Sequence, residues 1–302
     1  METNIKSGLN NEHLQNFAAG WGAGITADMI IAPFQRLKVD EQRGHASPKT
    51  IRGLWAGVFA IALGDGFAIG LQNTIYEIGK TQFSQENGRM LCPANLASVG
   101  AGIISSVPTT ISEITMDQHG QKVRASQEAK KTPGGSLSRV TYWSTIGDIY
   151  GQSGWRGFLR GYKCTAVRET IYAQAWKRWA SQFTDRFEAY TQNHQAAQIG
   201  GGICAGVLAA FLSHPFDTAK VKEQNKLRTG FIHAKFYSTI KEDISIAARQ
   251  TGSLKVAICK TGLACIQDAY KGFRQRAVMV SLAVTILNIT TPWYTNKIKQ
   301  VA

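Results

Sequence analysis

The chain has no run of eighteen strongly apolar residues, and its mean hydropathy is only −0.15, so hydropathy alone reads it as a soluble, glycine-rich, basic protein. Charge is also scarce: Asp, Glu, Lys and Arg make up 18% of the 302 residues, against a usual ~25%. What charge there is leans one way, with 34 Lys and Arg against 20 Asp and Glu, a formal +14. That surplus suits nucleic acid, anionic lipid or an acidic partner. The five cysteines (Cys92, Cys164, Cys204, Cys259 and Cys265) are odd in number, and no pair has zinc-finger or redox spacing. They point to a reducing history, not a disulfide framework. Residues 1–11 are polar and lack the apolar core of a signal peptide. No Walker loop, zinc motif or nucleophile elbow is present, so an enzyme, a metal site and a cofactor are not expected. His214, before Pro215, reads as a packing or pore residue.

What the sequence does contain is a repeated device. Gly202-Ile-Cys-Ala-Gly206 leads through an uncharged run to Pro215, then directly to Asp217, Lys220 and Gln224. Glycines four apart let a second helix approach closely, as helices do in lipid. A helix running through Pro215 loses a backbone donor and kinks. Near the N-terminus Gly20 and Gly24 precede Pro33, Gln35, Lys38 and Gln42 at the same spacing: nine residues from glycine to proline and nine more to glutamine. Repeats of this kind are sought before any fold is assigned. A worn third copy lies between them. Gly100 and Gln118 keep the 18-residue separation, which places Thr109 in the proline slot, Pro108 one residue early, Ile111 in the acid slot and Ile114 in the base slot.

Proline, any residue, acid, two residues, base, then glutamine, used three times over about residues 11–299, resembles the mitochondrial carrier family. The third copy is a full match, the first departs at Gln35, and the second is degenerate. The resemblance implies an all-α membrane protein with six transmembrane helices in three pseudo-threefold repeats. Each repeat would be a kinked helix, a loop with a short surface helix, and a second helix. Residues 1–302 would form one membrane domain, with repeats at 11–86, 92–190 and 194–300 and kinks at Pro33, Pro108 and Pro215. It implies alternating access in the mitochondrial inner membrane, a small charged metabolite as substrate, anionic lipids such as cardiolipin as partners, a monomer, and no nucleic acid. The worn second repeat fits a divergent member, of the kind an intracellular bacterium or parasite could deliver to host mitochondria. The rival reading is a soluble basic nucleic-acid-binding protein.

Along the chain the expected spans are residues 12–42, 58–83, 93–121, 162–187, 194–226 and 277–299, with short helices at 142–150 and 236–249. No block alternates with period two over several segments, which argues against a barrel.

The family resemblance also assigns roles. On the matrix side it pairs Asp217 with Lys38, with Gln42 and Gln224 bracing from below. It leaves Lys220 opposite Ile111, and Gln35 opposite Ile114, so the gate would be weakly latched. On the other face Tyr76-Glu77-Ile-Gly-Lys80 fits the aromatic-acid-base ending, with Lys297 a displaced counterpart in the last span. The substrate slots fall seven and eight residues after Gly57 and Gly161: Gly64 and Asp65, then Arg168 and Glu169. Neighbouring Arg-Glu there resembles carriers of cationic amino acids and S-adenosylmethionine. Asp28 would face the same cavity, Asn73 could add a neutral hydrogen bond, and Arg276 lies one turn from the matching Met279 and Val280. The arginine triplet of the common ADP/ATP carriers is absent; a nucleotide carrier of ATP type is the alternative. Lys177 and Arg178 are expected to face water or lipid headgroups. An acid at membrane depth is a functional candidate, because leaving it unpaired there is costly.

Overall fold

The computed structural model describes residues 2–43, 58–86, 93–130, 141–225, 270 and 272–301. All regular structure among them is helical. The long elements are α1 (Glu2–Arg43), α2 (Val58–Glu86) and α3 (Pro93–Lys130). Two short helices follow, α4 (Tyr142–Ser153) and α5 (Trp155–Phe158). Next come α6 (Tyr162–Gln174), a π-helical turn (Ala175–Trp179) and α7 (Ala180–Thr191), running on from one another. The last two are α8 (His194–Asn225) and α9 (Phe273–Val301). The expected helix at 236–249 lies outside the described residues.

Each long element packs on the next: α1 on α2, α2 on α3, α3 on α6, α6–α7 on α8, and α8 on α9, which returns to α1. The chain therefore closes into a ring. Among the described residues three helices are long and apolar enough to cross a membrane, over Asn11–Gln35, His194–Lys220 and Phe273–Gln300. The distribution of polarity is inside-out. Ile103, Ile104, Val107, Ile203, Val207, Phe211 and Val278 are exposed, while Gln72, Thr110, Thr165, Arg168, Asp217, Lys220 and Arg276 are buried. A soluble domain rarely shows so continuous an apolar exterior; lipid explains it.

Helix α3 shows how a polar face is carried at that depth. Its hydroxyls donate back to their own helix: Ser105 to the Gly102 carbonyl, Thr109 to Ser105, Thr110 to Ser106 and Thr115 to Ile111. Each hydroxyl is satisfied without a partner from outside the element.

Prolines 33, 108 and 215 sit inside continuous helices. Pro215 cannot donate to the carbonyl four residues back, that of Phe211. The Tyr270 hydroxyl donates to that carbonyl instead, at 3.2 Å. Gly161 and Gly272 both adopt φ of 79°, ahead of α6 and α9 respectively, a left-handed turn that glycine enters without penalty.

Three close helix contacts define a common register. A Cβ on Gly24 would stand 2.8 Å from the Cα of Gly66, one on Gly102 2.5 Å from that of Thr170, and one on Gly206 2.3 Å from that of Ser281. Gly66, Thr170 and Ser281 each lie nine residues after Gly57, Gly161 and Gly272. Gly100, expected from its spacing to Gln118 to be the middle member, has nothing within 4 Å. The second copy is thus shifted by two residues: the contact is Gly102, and eleven residues on, where Gly206 has Asp217, stands Glu113. Ile111 occupies the proline slot, and Pro108 lies one turn earlier.

Candidate functional site

The shifted register makes sense of a buried knot of charge inside the ring. Arg168, on α6, donates through Nε and Nη2 to Glu169 Oε1 at 2.9 and 2.5 Å, and through Nη1 to Glu113 Oε1 at 2.8 Å and Asp217 Oδ1 at 3.1 Å. Lys220 Nζ donates to Glu113 Oε2 at 2.5 Å and lies 3.8 Å from Asp217 Oδ1. Arg276 reaches Asp217 Oδ2 through Nη1 at 3.0 Å and Ser213 Oγ through Nη2 at 2.9 Å. Asp217 is fully enclosed, and Lys220, Arg168 and Arg276 are buried. Three cations face three carboxylates, so the knot is formally neutral. Isolated buried pairs roughly break even against hydrophobic packing, but stripping one partner leaves a stranded charge.

This geometry revises several expectations. Lys220 is not left opposite Ile111: Glu113 holds it, and Ile111 is exposed. The side chains of Lys38, Gln42 and Gln224 lie outside the described residues, and with them the Asp217–Lys38 pair. Among the described residues Asp217 is met by Arg168, Arg276 and Lys220. Arg168, expected in a substrate slot, is already bound by three carboxylates. Glu113 was missed because Gly100 and Gly102 are equally small; the partner helix α6, not the spacing, selects between them.

Asp28 and Asp65 stand apart from the knot. Asp28 is 4% exposed; its Oδ1 accepts a 3.4 Å hydrogen bond from Gln35 Nε2, and its Oδ2 has no partner among the described residues. Asp65 Oδ1, also enclosed, likewise has none. The two acids lie within electrostatic reach of each other and of Tyr172. Gly64, next to Asp65, lies against Ser112, where a Cβ would come within 2.5 Å of the hydroxyl oxygen.

Towards the other end of the ring, Asn73 Nδ2 donates to the Asn16 carbonyl at 2.6 Å, and its Oδ1 accepts from Lys177. Asn73 is a clasp between α1, α2 and the π turn, so its hydrogen bonds are already committed. Lys177, expected to face water or lipid headgroups, is instead largely enclosed, its side chain 9% exposed and lying over the Trp176 ring, with Glu77 at 3.9 Å. The π turn carries Lys177, and an extra residue in a helical turn re-aims the side chains after it. Lys80 and Lys297 are exposed. Residues of metal-binding type form no group able to hold an ion among the described residues.

A ring of helices with an apolar exterior and an ionised, enclosed interior is the build of a membrane transporter. The comparisons agree. No family model matches the chain. It is 26% identical over 244 residues to a mitochondrial glycine transporter of Neosartorya fischeri, covering 69% of this chain and 73% of that one. It is 24% identical over 267 residues to a mitochondrial glycine transporter of Sclerotinia sclerotiorum, covering 74% and 80%. An uncharacterised mitochondrial carrier of Schizosaccharomyces pombe is 28% identical over 216 residues, 68% of this chain and 57% of its own. With the repeated proline–acid–base spacing, these similarities support membership of the mitochondrial carrier family. It is a multi-pass transporter of the mitochondrial inner membrane, not an enzyme.

Proposed function

We propose that the protein carries an amino acid across the inner membrane by alternating access, with the substrate's ammonium group held between Asp28 and Asp65. The observation that carries this reading is the pair of enclosed carboxylate oxygens, Asp28 Oδ2 and Asp65 Oδ1, that no described residue satisfies. A carboxylate at that depth needs a donor or a counter-charge. The relatives' names favour glycine as the substrate. The Arg-Glu neighbours and the acid pair keep cationic amino acids and S-adenosylmethionine as the second candidates. Six spanning helices in three repeats, 11–86, 92–190 and 194–300, are the architecture this mechanism requires; the three close glycine contacts at one register support it. In this reading the protein works as a monomer among cardiolipin-type lipids.

The substrate's carboxylate would enter by competing with Glu169 and Glu113 for Arg168. Winning Arg168 would loosen the same knot that binds Lys220 and Asp217. Binding energy is thereby spent on opening the gate, as it must be if a ligand is to shift the equilibrium. Uptake of labelled glycine, arginine, S-adenosylmethionine and ATP into proteoliposomes tests the proposal. Glycine or arginine should enter, and Asp65→Asn should cut uptake by tenfold or more, roughly the loss of one charge-assisted hydrogen bond. Entry of ATP alone would overturn it.

A further inference from the structure

We propose that Asp28 and Asp65 together form a proton site whose occupancy alternates with that of the substrate's ammonium group, so that the protein exchanges its substrate for protons. This deepens the reading above and rests on it. The argument is one of charge. Every described cation near the two acids is already spoken for: Arg168 by Glu113, Glu169 and Asp217, Lys220 by Glu113, and Arg276 by Asp217. Three positive charges against three negative leave nothing over for the acid pair, which brings two more negative charges.

The groups around the pair do not offset that excess. From α3 Glu113 and from α6 Glu169 act on both Asp28 and Asp65, and Tyr172 of α6 lies within electrostatic reach of them. Arg168 and Lys220 act on Asp65 from α6 and α8, but through a knot whose net charge is zero. Among the described side chains of α1, the neutral amide of Gln35 donates to Asp28. From α9, Arg276 is directed to Asp217 and Ser213. Two carboxylates with enclosed, unsatisfied oxygens cannot both stay ionised in such a site; a shared proton removes one charge and supplies a donor.

An ammonium group does the same work at the same oxygens. Proton and ammonium therefore compete, and each step balances. Facing one side, the site releases its proton to that side's water as the ammonium group enters. Facing the other, it takes a proton from that water as the substrate leaves, and returns protonated. One proton moves against each substrate molecule.

The test uses the purified full-length protein in liposomes. Uptake of labelled glycine and of labelled arginine is first measured with equal pH on both sides, which judges the substrate reading by itself. The interior is then made one pH unit more acidic than the exterior. One-for-one exchange predicts a rise in accumulation approaching about tenfold, since one pH unit is a tenfold proton gradient. Reversing the gradient should suppress uptake. No response to the gradient, or stimulation by an acidic exterior, overturns exchange. Asp28→Asn and Asp65→Asn should each lower uptake and abolish what gradient response remains. Infrared difference spectra of the detergent-solubilised protein between alkaline and acidic pH give a readout that needs no substrate. A protonated-carboxyl carbonyl band should be present and should be lost or shifted in both variants. If the band is absent, or unchanged in both, the proton site is refuted even where transport is seen.

Discussion

Glu113 is the residue on which the interior turns. It bridges Arg168 at 2.8 Å and Lys220 at 2.5 Å, tying α6 and α8 to α3. Replacing it by Gln leaves Arg168 with Glu169 and Asp217 but Lys220 with only Asp217, 3.8 Å away, among the described residues, so Glu113→Gln should lose about 3 kcal/mol, the lower end of the usual cost of breaking a buried pair from one side. Ile111, in the slot that spacing to Gln118 suggests, is exposed, and Ile111→Ala should change stability by less than about 0.5 kcal/mol. Thermal unfolding of both variants in detergent decides between the two registers; equal losses would contradict the shifted one.

At the scale of elements, the sequence was most legible where spacing alone sets the structure. The segments expected at 58–83 and 194–226 are helices Val58–Glu86 and His194–Asn225, the second marked by its glycine spacing, its proline and an abrupt onset of charge. It was least legible where a partner decides. Gly100 and Gly102 cannot be ranked without α6, and Lys177 cannot be turned inward without the π turn at Ala175–Trp179. Asp28 and Asp65 were visible as lone acids in apolar spans; that Arg168 would be taken up by three carboxylates was not. A pair of substitutions makes the point measurable. Gly102→Ala places a Cβ 2.5 Å from the Thr170 Cα and should give little monodisperse protein on size exclusion in detergent. Gly100→Ala meets nothing within 4 Å and should be neutral or stabilise by up to about 1 kcal/mol, the helix preference for alanine.

For the whole molecule, the inside-out polarity sets how it behaves in a cell. A basic protein held to membranes by charge comes off in high salt, because its attraction is screened. This chain, with Ile203, Val207 and Phe211 facing outward, should stay in the pellet after both high salt and alkaline carbonate. Recovery in the supernatant would return the soluble, nucleic-acid-binding reading to consideration. The equal count of cations and carboxylates in the knot has an electrical consequence. A cluster with no net charge gives the transmembrane voltage almost nothing to pull on while its members move together. Only cargo and proton then register the field, at about 2.3 kcal/mol per charge for each 100 mV. A zwitterion swapped for one proton carries current, whereas a singly cationic amino acid swapped the same way carries none. An electrode can therefore tell the two cargoes apart.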